Sequence, residues 1–182
     1  IFLLTAFFAT AYYTTYSYIE PFLKEQVGMN NTLVTASLML FGMAGILGSV
    51  AFSRYYTRNR YAFNTCCFIV IGACIALLLP VSGSIPVTLL LLALWGVVGT
   101  AFNIAMQSEI INIAPPEGTS VAMSIFSGIF NFGIGTGAFI GGMVCRHIGL
   151  PHIGTVGGII AVGTLLFWLF WLQKHMKAFY MG

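Results

Sequence analysis

Three rows of polar side chains interrupt stretches that are otherwise apolar, and their spacing puts each row near one face of a helix. The first is Thr5, Tyr12, Tyr16 and Glu20. The second is Trp95, Gly99, Asn103 and Gln107, each four residues from the next. The third is Ser120, Ser124, Ser127 and Asn131. Polar groups on helices surrounded by lipid need partners, so such rows face other helices or a watery cavity. Aromatic rings beside amides and hydroxyls suit a neutral polyhydroxylated ligand: rings stack on the apolar face of a sugar, and amides bridge pairs of hydroxyls. The candidate ligand contacts are Tyr12, Tyr16, Trp95, Asn103, Gln107 and Asn131. The competing reading is structural, in which the three amides hydrogen-bond helix to helix and the two tyrosines pack.

Acids are scarce. The chain has Glu20, Glu25, Glu109 and Glu117 and no aspartate. That excludes metal sites built on Asp clusters and aspartyl proteases. Glu20 closes an apolar stretch just before Pro21. A carboxyl at membrane depth is disfavoured in its charged form, so Glu20 is the candidate for taking up and releasing protons; the alternative is a solvated, ionised group at the interface. Glu109 has the same ambiguity but lies two residues from Gln107, off that row. Glu25 and Glu117 fall in loops. Cys66, Cys67 and Cys74 share one apolar run, Cys145 stands apart, and no pair has C-x-x-C spacing. His147, His152 and His175 lie at loops or ends, so an intramembrane enzyme would lack a base within its spans, and Phe126 precedes Ser127-Gly128 where a Gly-x-Ser-Gly motif is absent. Neither a metal site, a disulfide framework nor a cofactor is expected, and the thiols are read as space-fillers between helices.

The elements that must carry these residues follow from composition. Of 182 residues, 59% are hydrophobic and only 6% charged, against about 25% charged in an ordinary soluble domain. So few charges cannot cover a globule with a solvated surface. That excludes a soluble enzyme, a nucleic-acid binder and a disordered tail, and the net charge of +3 is too small to imply a nucleic-acid partner. An all-α integral membrane protein in a lipid bilayer remains. A spanning helix needs about 20 apolar residues, and six such stretches can be marked: about 1–20, 33–53, 62–79, 87–113, 120–145 and 152–172. Pro80-Val81-Ser82-Gly83-Ser84-Ile85-Pro86 divides the uncharged run from Tyr61 to Ser108.

Six spans put both chain ends on one side. That side holds Arg54, Arg58, Arg60, Lys174 and Lys177, and the other only Lys24 and Arg146, so the carboxyl tail is expected to be cytoplasmic. Glycines crowd the second span (Gly42, Gly45, Gly48), the fifth (Gly128, Gly133, Gly135, Gly137, Gly141, Gly142) and the sixth (Gly154, Gly157, Gly158, Gly163). Small residues let helices approach closely in lipid, so these read as contact faces, of a kind that can slide or rock. The chain starts at Ile1 with an apolar stretch and neither a charged leader nor a cleavage site, so it is read as a fragment of a longer protein. Spans one and four each carry a polar-aromatic row and a glutamate near the exit end, and each precedes a glycine-bearing span. That echo fits three-plus-three inverted repeats.

Several segments resemble one transporter family. Thr14-Thr15-Tyr16-Ser17-Tyr18-Ile19-Glu20-Pro21-Phe22 is similar to the seventh-span signature of bacterial sugar efflux transporters, the SotB-like group of the drug:proton antiporter type in the major facilitator superfamily. Gly42-Met43-Ala44-Gly45-Ile46-Leu47-Gly48-Ser49 resembles their eighth span, and the run from Ala122 to Gly135 their eleventh; Trp95-Gly96 and Met106-Gln107 extend the match. The resemblance implies six transmembrane helices forming the carboxyl-terminal half of a twelve-helix inner-membrane carrier, the amino-terminal half being the missing partner. It also implies proton-driven efflux of sugars, such as arabinose-like pentoses and thiogalactosides, through a cavity lined by the first and fourth spans here, with the second and fifth as the rocking seam. Relatives often keep an acid in the loop after the eighth span. Here Ser53-Arg54-Tyr55-Tyr56-Thr57-Arg58-Asn59-Arg60 has none, which puts in doubt any latch pairing an acid of that loop with an arginine. The rival readings are a multidrug:proton antiporter of the same superfamily and a small channel or assembly subunit complete at six spans.

Overall fold

The computed structural model describes residues 1–173, and the expectations resting on Lys174, His175 and Lys177 lie outside them. The described chain is helical from end to end: α1 (Phe2–Tyr16), α2 (Ile19–Glu25), α3 (Asn31–Tyr55), α4 (Arg60–Leu77), α5 (Ile85–Ile113), α6 (Thr119–His147) and α7 (Ile153–Phe167). Short 3₁₀ turns at Pro116–Gly118 and Leu150–His152 lead into α6 and α7, and a π-helical turn, Trp168–Leu172, continues α7. Five segments among the described residues are long and apolar enough to cross a membrane: α3, α4, α5, Pro116–His147 and Leu150–Leu172. The first apolar stretch is instead divided. Pro21 has no N–H for the carbonyl of Ser17, and its ring clashes with that carbonyl in a continuous helix. The chain therefore breaks at Ser17 and Tyr18 and restarts as α2, with Pro21 in its first turn and the Phe22 N–H on the Tyr18 carbonyl at 3.1 Å.

The starts of α3 and α4 are set by side-chain caps rather than by hydropathy. The Asn30 side chain accepts from the Leu33 N–H at 2.8 Å, and Asn59 accepts from Ala62 N–H at 3.1 Å. Each satisfies an orphan donor of the first turn, so α3 and α4 begin two residues before the expected apolar limits. Pro86 in the first turn does the same for α5, where a missing N–H costs nothing.

The packing is paired: α1 lies chiefly against α6 and α7, and α5 chiefly against α3 and α4, with α4 also against α7. Glycine permits the closest crossings. A Cβ at Gly48 would strike the Val97 carbonyl, and one at Gly96 would strike that of Phe41, so α3 and α5 touch backbone to backbone from both sides. On α6, a Cβ at Gly137 would sit 2.6 Å from the Thr10 carbonyl and one at Gly141 2.5 Å from that of Thr14, both on α1. Gly154 and Gly157 likewise press on Ile75 and Thr15. The expected contact faces are thus real, but not every glycine belongs to them: Gly42, Gly128, Gly135 and Gly163 meet nothing within 4 Å. Large side chains fill the centre, among them Phe8, Phe68, Phe102 and Trp168, while α3, α6 and the π-helical turn keep large apolar residues such as Met43, Phe132 and Phe170 exposed.

Candidate functional site

The α1 row and the α5 row face each other. Phe8, Tyr12 and Tyr16 recur every four residues on α1, and Trp95, Gly99 and Asn103 do so on α5. The Tyr12 ring lies 5.2 Å from Trp95 and 5.7 Å from Tyr16, and Tyr16 lies 5.1 Å from Phe41 of α3. Gly99 is the seat of Tyr12: a Cβ there would come within 2.9 Å of the phenol oxygen. Below this aromatic set opens a cavity of about 220 Å³, lined by Phe8, Tyr12, Tyr13, Gly99, Thr100, Asn103 and Phe130. Its walls come from α1, α5 and α6, and no charged side chain is among them.

The Asn103 side chain is held by its neighbour one turn on. Its Oδ1 accepts from Gln107 Nε2 at 2.6 Å, which leaves the Asn103 amide nitrogen as a donor. Trp95 is fully buried, yet its indole N–H has no hydrogen-bond partner. A buried unsatisfied donor of this kind costs stability, and it lies among the rings above the cavity. Of the residues singled out by spacing, Tyr12, Tyr16, Trp95, Asn103 and Gln107 are therefore gathered in one region, Tyr12 and Asn103 directly on the cavity. Asn131 is not. Its side chain is exposed and donates to the Ser127 carbonyl at 2.8 Å on its own helix. Tyr13, Thr100 and Phe130 line the cavity without having been expected there; only Phe8, four residues before Tyr12, was legible as a continuation of a row.

Glu20 sits elsewhere, on α2. It is exposed and paired with Lys24 one turn on, Nζ to Oε1 at 2.7 Å. The two border a cavity of about 500 Å³ with Asn31, Val34, Thr35, Leu38 and Met39 of α3.

A second polar cluster was not foreseen. Glu109 is fully buried near the end of α5. Arg60, at the start of α4, brings Nη1 to 3.6 Å from its Oε2, and Asn64 one turn on approaches Oε1 at 3.5 Å. Arg60 additionally lies over the Tyr61 ring at 5.3 Å. The arginine run between α3 and α4 lacks its own acid, and α5 supplies a different partner for Arg60 from 49 residues away. No local signal in the sequence joins those positions.

A bundle that is all-helical among the described residues, with apolar outer faces and five segments long enough to cross a bilayer, is a multi-pass membrane protein. A family model described as the Major Facilitator Superfamily matches residues 1–178. The chain belongs to that superfamily, whose members are secondary transporters.

Proposed function

We propose that this chain is one half of a proton-coupled sugar exporter of the SotB-like kind, which moves arabinose-like pentoses or thiogalactosides out across a bacterial inner membrane by alternating access. The observation that carries the reading is the chemistry of the cavity wall. Tyr12, Tyr13, Thr100 and Asn103 offer hydroxyls and an amide between the rings of Phe8 and Phe130, with no charge. An anionic substrate would need a cation there, and a cationic one an acid, because a charge leaving water without a counter-charge is costly. A neutral polyol needs only hydrogen bonds and ring faces.

About 220 Å³ is smaller than a typical ligand site of roughly 300–1,000 Å³. A facing six-helix half, completing the wall, accounts for the difference. The exchange pattern in the packing supports three-plus-three repeats: α1 against α6 and α7 corresponds to α5 against α3 and α4. The end bearing Arg54, Arg58 and Arg60 is assigned to the cytoplasm, and with it the carboxyl tail. Glu20 is the proposed proton carrier.

The test uses everted vesicles with an acid interior, reading a pH-sensitive dye while arabinose is added to the full carrier. Arabinose-driven proton release is the expected result. Glu20→Gln should abolish it while leaving downhill sugar movement; uphill efflux at the normal rate in that variant would remove Glu20 from the coupling. The rings of Phe8 and Phe130 favour one second reading, a multidrug:proton antiporter. Dye responses to apolar drugs and none to arabinose would select it.

A further inference from the structure

On the opposite side of α5 from the aromatic cavity, two hollows meet at the arginine end. One, of about 450 Å³, is lined by Tyr56, Thr57, Arg58, Asn59, Arg60 and Asn112. The other, of about 610 Å³, runs down the outer side of α4 against the π-helical turn, between Ala62, Cys66 and Ile69 on one wall and Leu169 and Gln173 on the other. Asn59 and Tyr61 line both, so the hollows adjoin. The chain belongs to the membrane, and Ile69, Phe170 and Trp171 keep the neighbouring surface apolar and exposed.

We infer that this groove binds one anionic phospholipid, its phosphate at Arg58 and Asn59 and one acyl chain along α4 past Ala62 and Ile69. Charge decides the head. Arg60 is engaged by Glu109, whereas Arg58 is exposed and has no ion pair among the described residues. Neither hollow is lined by an acid. Basic pockets beside membrane helices collect anionic headgroups for this reason. Length decides the tail. From Asn59 to Ile69 is ten residues, or about 15 Å of helix, which is half of a hydrocarbon core about 30 Å thick. The groove therefore reaches the midplane from one leaflet, as a single acyl chain does. A soluble phosphate would leave the apolar part empty, and a zwitterionic lipid would bring a cationic ammonium to hollows that no acid lines.

The test is native mass spectrometry of the purified full chain in detergent with phosphatidylglycerol, with phosphatidylcholine of the same chains, and with glycerol phosphate. Retention of phosphatidylglycerol in preference to both others is expected. Arg58→Gln should lower that retention about fivefold, the effect of one basic residue beside an anionic headgroup. Ala62→Trp, at an exposed position that fills the groove, should lower it similarly. Equal retention of phosphatidylcholine, equal binding of glycerol phosphate, or retention untouched by both substitutions would each overturn the proposal. So would retention that appears only after residues 174–182 are removed, since the chain's own end would then be the occupant.

Discussion

Tyr12 and Asn103 are the two side chains that bring a hydroxyl and an amide from the spaced rows directly onto the cavity wall. Replacing Tyr12 by Phe keeps the ring and removes only the hydroxyl, so the apparent KM for sugar in the full carrier is expected to rise about five- to tenfold, the worth of one hydrogen bond. Asn103→Leu removes the proposed sugar contact and also leaves Gln107 Nε2 without its acceptor, so a rise of at least about tenfold is expected. Sugar-transport kinetics that are unchanged in both would return these residues to helix packing. Glu109 belongs to stability. Removing one member of a buried ion pair strands the other, at a cost of about 3–5 kcal/mol. Glu109→Ala should therefore lower the melting temperature in detergent clearly, and Glu109→Ala with Arg60→Met should restore part of the loss. A double variant no more stable than the single one would show that the pair is not what holds α4 to α5.

At the scale of the element, glycine position rather than glycine number sets how helices meet. Gly137 and Gly135 lie two residues apart on α6 and face different surroundings. A Cβ at Gly137 would press on α1 backbone, which cannot yield, whereas one at Gly135 enters open space. Gly137→Ala is expected to destabilise by about 1–3 kcal/mol, the usual cost of overpacking, and Gly135→Ala to be neutral or slightly stabilising. Thermal inactivation of the two variants side by side checks this; equal melting would mean that α1 and α6 do not touch as described. The same contrast separates Gly48 from Gly42 on α3. The break between α1 and α2 is a second element-level device. It is set by Pro21, and it turns Glu20 away from the Tyr12 and Tyr16 row that helical spacing alone would have given it.

Across the whole molecule, the helices alternate in direction, so the α3–α4 turn and the Leu78–Ser84 connection are at opposite ends. With the arginine end in the cytoplasm, a cysteine replacing Gly83 in an otherwise cysteine-free carrier should react with an impermeant maleimide on intact cells. One replacing Thr57 should react only after permeabilisation. The reverse pattern would invert the assigned orientation. Both positions are exposed, so neither substitution disturbs packing.

The sequence by itself determined the solvent and the class of fold. A chain with 6% charge cannot be wetted on all sides, and each apolar stretch had to become a helix, because lipid supplies no partner for a backbone N–H. It also determined the α5 row, since Trp95, Asn103 and Gln107 share one helix and only the 3.6-residue period is needed to align them. The tertiary structure decided what spacing within one helix cannot express. It joined Glu109 to Arg60 across 49 residues and placed Phe130 opposite Tyr13, at 6.0 Å between ring centres. It also turned Asn131 onto its own backbone and left Glu20 with Lys24 outside the aromatic cavity. Each of these depends on which helices become neighbours. That choice is made by where backbone can approach backbone, as at Gly48, Gly96 and Gly137, and not by the residues that the approach brings together.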